Sequence, residues 1–177
     1  MILAFHAVLI ISMLPSSNMK KIGVIGLGNP LRRDDGIGLV LLEKLAERKH
    51  ELPDTIQYID GGTGGMNLLH LLARFDIVFI IDAARFNAAA GYGKFFTLQE
   101  IKNNRTSLPP STHGSNVLEI ICLSKNLDEA PKHILFFGVQ PKDTSVGTEL
   151  SKELQQNIGK LVTKLMREVT NIYEELL

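Results

Sequence analysis

Three residues far apart in the chain carry side chains that would form a cation site if brought together: Asp35, Asp82 and His113. Two carboxylates and one imidazole nitrogen suit a divalent transition ion, and three protein ligands leave positions for water or substrate. Such donors select weakly among zinc, nickel, manganese and iron. Their spacing is not that of a local metal motif such as H-E-x-x-H. Each residue also has a plainer reading. Asp34 and Asp35 precede the helix that begins near Gly36, where a carboxylate caps free amides and meets the positive end of the helix dipole. Asp82 closes an apolar run and suits a turn. His113 suits an ordinary loop, whereas His6, His50, His70 and His133 lack a comparable setting.

The elements that must position these residues follow from apolar patterning. "KIGVIGLG" (21–28) is a short apolar run ending in glycines, which predicts a buried strand, and "GIGLVLLEKLAERKH" (36–50) continues at helical spacing. A second strand, "TIQYID" (55–60), runs into "GGTGG", followed by a helix over 66–75 and a third, fully buried strand over 77–83. Strand–helix–strand–helix–strand implies right-handed crossovers and a parallel sheet. "GYGKFFTLQ" (91–99) has only a loop before it and is expected at an edge, antiparallel. A helix over 114–126, a fifth strand over 133–141 and a long amphipathic helix over 148–176 complete the chain. The expected fold is a three-layer α/β/α sandwich, phosphorylase/hydrolase-like, around a twisted sheet of about five strands. In such sheets ligands bind beyond the carboxyl ends of the strands. Asp35, Asp60, Asp82 and His113 all fall on that side. The loop Gly61, Gly62, Thr63, Gly64, Gly65 opens there too, and so many glycines suit close approach by a second backbone.

The bulk properties narrow the partners. The 177 residues carry 19 Lys+Arg against 19 Asp+Glu, which gives no reason to expect nucleic acid or an anionic membrane. One cysteine, Cys122, cannot form an internal disulfide, and a reduced, cytoplasmic setting is expected. Residues 1–18 are apolar but too short to span a bilayer, lack a preceding Lys or Arg and lack an A-x-A-like site. They are expected to be an extension outside the fold, with one domain over 19–177. Arg32 and Arg33 suit a solvated turn, neutralisation of the aspartates or an acidic partner. Gln140, ending the fifth strand, suits substrate contact or structural support.

Two familiar readings of the first motif are weak. A dinucleotide-binding turn needs a third glycine where Leu31 stands, and Asp34 and Asp35 would repel pyrophosphate. "GLGNP" is also similar to the start of peptidyl-tRNA hydrolases, but that family's catalytic histidine is missing and the neutral charge suits RNA poorly. Taken together, "GLGNPLRRDDGIG", "DGGTGGMNLL", "VFIIDAA", "STHGSN" and "FFGVQP" resemble the hydrogenase maturation proteases in type, order and spacing, from about Met19 into the terminal helix.

The resemblance implies an endopeptidase that removes a C-terminal peptide from the precursor of a nickel-iron hydrogenase large subunit after nickel insertion. The nickel would be supplied by the precursor and would serve as the recognition element. The family's ligand positions fall on Asp35, Asp82 and His113, with Asp35 and Asp82 as the catalytic candidates. Asp60, Gly61, Gly62 and Thr63 are the expected substrate-binding loop. The expected partner is the nickel-loaded precursor, with no nucleic acid and no membrane, and the chain is expected to be a monomer. No nucleophile with a matching base is evident, since Ser111 near His113 lacks a third member, so water is the expected attacking group. Asp34 either shares in the chemistry or caps the helix behind it.

Overall fold

The structure, a computed structural model, describes residues 20–103 and 114–175. The calls on residues 1–18, on Ser111 and on His113 lie outside the described residues. Strand β1 (Ile22–Gly26) is buried along its whole length, and β3 (Ile77–Ala83) is buried at every position but Asp82. Their unbroken apolar runs are what strands covered on both faces require. β2 (Ile56–Asp60), β4 (Gly93–Thr97) and β5 (His133–Val139) complete one five-stranded sheet in the order β2-β1-β3-β5-β4. β4 pairs antiparallel with β5 and every other pairing is parallel, as expected from the short loop that leads into β4.

Helices cover both faces. On one, α1 (Ile37–Glu47) and the long α5 (Lys152–Glu175) pack Leu41, Leu45, Leu154, Leu161, Leu165 and Val169 against Ile22, Val24, Ile77 and Phe79. On the other, α2 (Met66–Leu72) and α4 (Gly114–Asn126) pack Leu68, Leu72, Val117 and Ile121 against Ile25, Val78 and Ile80. Alternate residues of β3 feed the two cores, as the two-residue period of a strand dictates. Each fully buried Leu or Ile contributes about 1.5–3 kcal/mol, so the sheet's central strands are the most firmly held.

Several boundaries differ from expectation by a few residues, and three of the differences have a clear local reason. Gly36 closes a one-turn 3-10 helix (Arg33–Gly36), and the α-helix starts only at Ile37. The fourth strand ends at Thr97 because "TLQE" is a capping box opening a short helix, α3 (Leu98–Asn103). The Glu100 amide donates to Thr97 Oγ1, and the Thr97 amide donates to Glu100 Oε2. The terminal helix starts at Lys152 rather than 148, and the Ser151 amide just before it is held by Asp34.

Registry aligns the carboxyl ends of the strands. Gly26 stands opposite both Asp60 and Ile81, and Asp82 stands opposite Gly138. One rim of the sheet therefore carries the first motif, the glycine loop, Asp82 and the loop after β5.

Candidate functional site

The first motif is built by close approach of backbones. Gly28 has φ +143°, and a Cβ there would lie 2.0 Å from the Asp35 carbonyl oxygen. Gly38 brings α1 onto the strand ends, where a Cβ would lie 2.1 Å from the Leu27 oxygen and 2.4 Å from the Ile81 oxygen. These two glycines set Asp35 directly over the ends of β1 and β3. Successive amides of the turn are consumed inside the protein. Leu27 N–H donates to the Ile81 carbonyl, Gly28 N–H to the Gly62 carbonyl, and Asn29 N–H to Asp35 Oδ2 at 3.2 Å. A phosphate cradle needs such amides free, so the glycine turn here serves packing.

Asp35 is 2 % exposed. Asp82, at the end of β3, keeps partial exposure on the rim while its carboxyl is packed about by protein. Its own next amide, Ala83 N–H, donates to Oδ1 at 2.8 Å. Burial, reinforced by the negative charge of Asp35 and only partly offset by the Ala83 amide, pushes the Asp82 carboxyl up to about 8. The structure thus brings two of the three expected ligands together. A buried pair of like-charged carboxyls is relieved by a proton or by a cation. Among the described residues no group of three His, Cys, Asp and Glu side chains gathers, and His113, the third candidate, lies outside them.

Asp34 is resolved against capping. The first turn of α1 has no side-chain cap. Asp34 is instead fully buried and turned toward the loop that joins β5 to α5. Its Oδ2 accepts from the amides of Lys142 and Asp143 at 2.8 and 2.9 Å, and its Oδ1 accepts from the Ser151 amide at 2.6 Å. Three backbone donors thus satisfy both oxygens of this side chain inside the protein. The same loop is stitched to the first motif by Asp34 N–H to the Asp143 carbonyl, Arg33 N–H to the Gly147 carbonyl and Gly147 N–H to the Leu31 carbonyl. Arg33 forms an ion pair with Asp143 at 3.4 Å, so it neutralises a neighbouring surface charge rather than the two motif aspartates.

Gln140 proves structural. Its Oε1 accepts from the amides of Phe86 and Ala88, and its Nε2 donates to the Pro141 carbonyl, which fixes the loop leaving β3. Sequence reasoning missed the network that ties the first motif to the β5–α5 loop. The signal was present in "DD" followed by a polar, glycine-containing loop before the last helix, but nothing in spacing says that Asp34 faces that loop.

The glycine loop lies beside the pair. Asp60 Oδ1 accepts from the Gly62 amide at 2.7 Å, and Gly61 N–H donates to the Gly26 carbonyl. Gly62 and Gly65 have φ of +55° and +74°, and a Cβ on either would meet nothing within 4 Å. Their backbone conformation requires glycine while the space in front stays open. Thr63, at the crest, is exposed.

The family model of HycI, hydrogenase maturation protease, matches residues 40–168, most of the chain. The chain belongs to the hydrogenase maturation protease family. The family's hydrogenase expression/formation protein HupD of Bradyrhizobium diazoefficiens is 31% identical over 128 residues, covering 72% of this chain and 66% of that protein. The hydrogenase 2 maturation protease of Escherichia coli is 32% identical over 123 residues, covering 69% of this chain and 74% of that protein. Among solved structures, the hydrogenase maturating endopeptidase HybD from E. coli superposes with a TM-score of 0.74 at 26% identity, covering 85% of this chain and 93% of that one. The chain spans 66%, 61% and 58% of the lengths of three curated relatives, HupD of B. diazoefficiens, HupD of Thiocapsa roseopersicina and HoxM of Azotobacter vinelandii. Among the described residues no helix is long and apolar enough to cross a membrane.

Proposed function

We propose that this chain is an endopeptidase that removes a C-terminal peptide from the precursor of a nickel-iron hydrogenase large subunit after nickel insertion, acting in the cytoplasm as a monomer. The observation that carries the reading is the juxtaposition of Asp35 and Asp82 at the sheet's carboxyl rim, with the Asp82 carboxyl raised to about 8 by burial and by Asp35. Family membership supports the peptidase reading.

The nickel belongs to the substrate. Two carboxyls and an imidazole, without thiolates, make a modest site, which suits borrowing an ion held elsewhere rather than storing one. Asp35, Asp82 and His113 engage the precursor's nickel and so place the scissile peptide bond over the rim. The loop Asp60, Gly61, Gly62 and Thr63 receives the peptide backbone, which the open space beside Gly62 admits. A water held by one of the carboxylates attacks the carbonyl carbon, and the carboxyl that takes the water's proton passes it to the leaving amine. Asp34 takes no part, since its oxygens are committed to three amides.

Asp82→Asn and His113→Ala test the assignment. Both variants should fold, as judged by circular dichroism and thermal melting, and both should leave nickel-loaded precursor uncut on a gel that resolves the tail. Full processing by both would remove the carboxylate–histidine site from the reaction.

A further inference from the structure

Large apolar side chains left open to solvent are unevenly placed. Among the described residues, Leu31, Met66, Tyr92 and Val146 stand on the carboxyl rim of the sheet, while Leu123, near the end of α4, and Leu127, just beyond it, stand at the opposite rim. Scattered exposed apolar residues are ordinary on a protein surface. Leu31 and Val146 differ because they belong to one rigid bracket. Leu31 is 63 % exposed and Val146 82 % exposed. The Gly147 amide, next to Val146, donates to the Leu31 carbonyl at 2.9 Å. Leu31 N–H donates to Asn29 Oδ1, and Arg33 N–H donates to the Gly147 carbonyl. Asp34 locks both halves with its three amide bonds.

The bracket joins the loops after β1 and β5, the two strands that flank β3. It therefore stands beside the strand end that carries Asp82, and Leu31 lies four residues before Asp35 in the same motif. A polypeptide that reaches the two carboxyls comes in at the rim on which this bracket stands. Its backbone is already ordered, so docking against it costs little conformational entropy.

We infer that Leu31 and Val146 form an apolar shelf that binds a nonpolar side chain of the precursor polypeptide close to its cleaved bond, and so help to set substrate specificity. The inference rests on the protease reading above and deepens it. Both side chains point into solvent, so their replacement leaves the core and the Asp34 network intact.

The test uses the full chain and nickel-loaded precursor. Leu31→Asp, Val146→Asp and Val146→Leu are compared with Leu127→Asp, which lies at the far end of the molecule. Precursor binding is read by surface plasmon resonance with an uncleavable tail, and processing is read by KM and kcat. A tenfold or greater rise in Kd and KM for both Asp variants is expected. kcat should stay within about twofold, Val146→Leu should match the unaltered chain, and Leu127→Asp should show no change. Kd and KM within twofold for both Asp variants would overturn the shelf. So would an equal loss in Leu127→Asp, or a change in sedimentation alone, which would make the pair a contact between copies of this chain. If the unaltered chain left the precursor whole, the protease reading would fall, and the Kd comparison would still decide whether the shelf binds it.

Discussion

Asp34 and Asp82 are both buried carboxyls within one rim of the sheet, yet their surroundings are opposite. Asp34 accepts from three backbone amides of the β5–α5 loop. Asp82 accepts from its own neighbour's amide and faces the negative charge of Asp35, and its pKa is pushed up to about 8. A buried charge surrounded by donors is structural. One left short of donors and next to a like charge is poised to take a proton or a cation. The adjacent aspartates of the "DD" pair thus differ in what they act on: Asp34 holds the scaffold, and the charge of Asp35 acts on Asp82.

The comparison breaks first at Asp34. Asp34→Ala strips three amides of their acceptor and should cost roughly 3–5 kcal/mol of stability, read as a lower urea midpoint, with the 141–151 loop losing amide-exchange protection. A cost under about 1 kcal/mol would mean that the clamp does not hold the loop. Gly38→Ala comes next. Its added Cβ meets two backbone carbonyls, so about 1–3 kcal/mol is expected from forced displacement of α1, together with loss of processing as Asp35 moves with the helix.

Asp82 should behave in the opposite sense. Its folded-state pKa lies above the unfolded value, so its neutral form favours folding. That contribution is complete below about pH 4 and is lost as pH rises through about 8. Asp82→Asn should therefore melt higher than the unaltered chain at pH 8.5, and the gap should close as pH falls toward 4, in scanning calorimetry at matched ionic strength. A variant less stable at pH 8.5 would place Asp82 with Asp34 among the structural carboxylates. The smallest effect is expected at Gly62→Ala. Its left-handed backbone carries a strain of about 1 kcal/mol for alanine, while the space ahead of it is open. Stability should change little, and processing should fall if a substrate backbone lies there.

Much of the fold was legible in the sequence because it depends on patterns that are local. The apolar runs of β1 and β3, the glycine-ended turns and the amphipathic terminal helix each announce themselves within a few residues, and the antiparallel placement of β4 follows from its short lead-in. The capping box that ends β4 at Thr97 was also written in "TLQE", but a continuing β-rich run masks it. Asp82 and Asp35 could be paired from topology, since strand ends in a parallel sheet share one rim. The role of Asp34 could not, because its partners lie more than a hundred residues away and are backbone amides, which carry no residue signature. The same holds for Gln140, whose acceptor oxygen meets the amides of Phe86 and Ala88.

The central claim is that the Asp35–Asp82 rim recognises an ion carried by the substrate. The most direct measurement gives the unaltered protein two preparations of one hydrogenase large-subunit precursor, nickel-loaded and nickel-free, and follows release of the C-terminal peptide by mass spectrometry. Cleavage of the loaded precursor alone is the expected result. Equal cleavage of both preparations would contradict the claim and leave the two carboxyls as an ordinary peptidase pair.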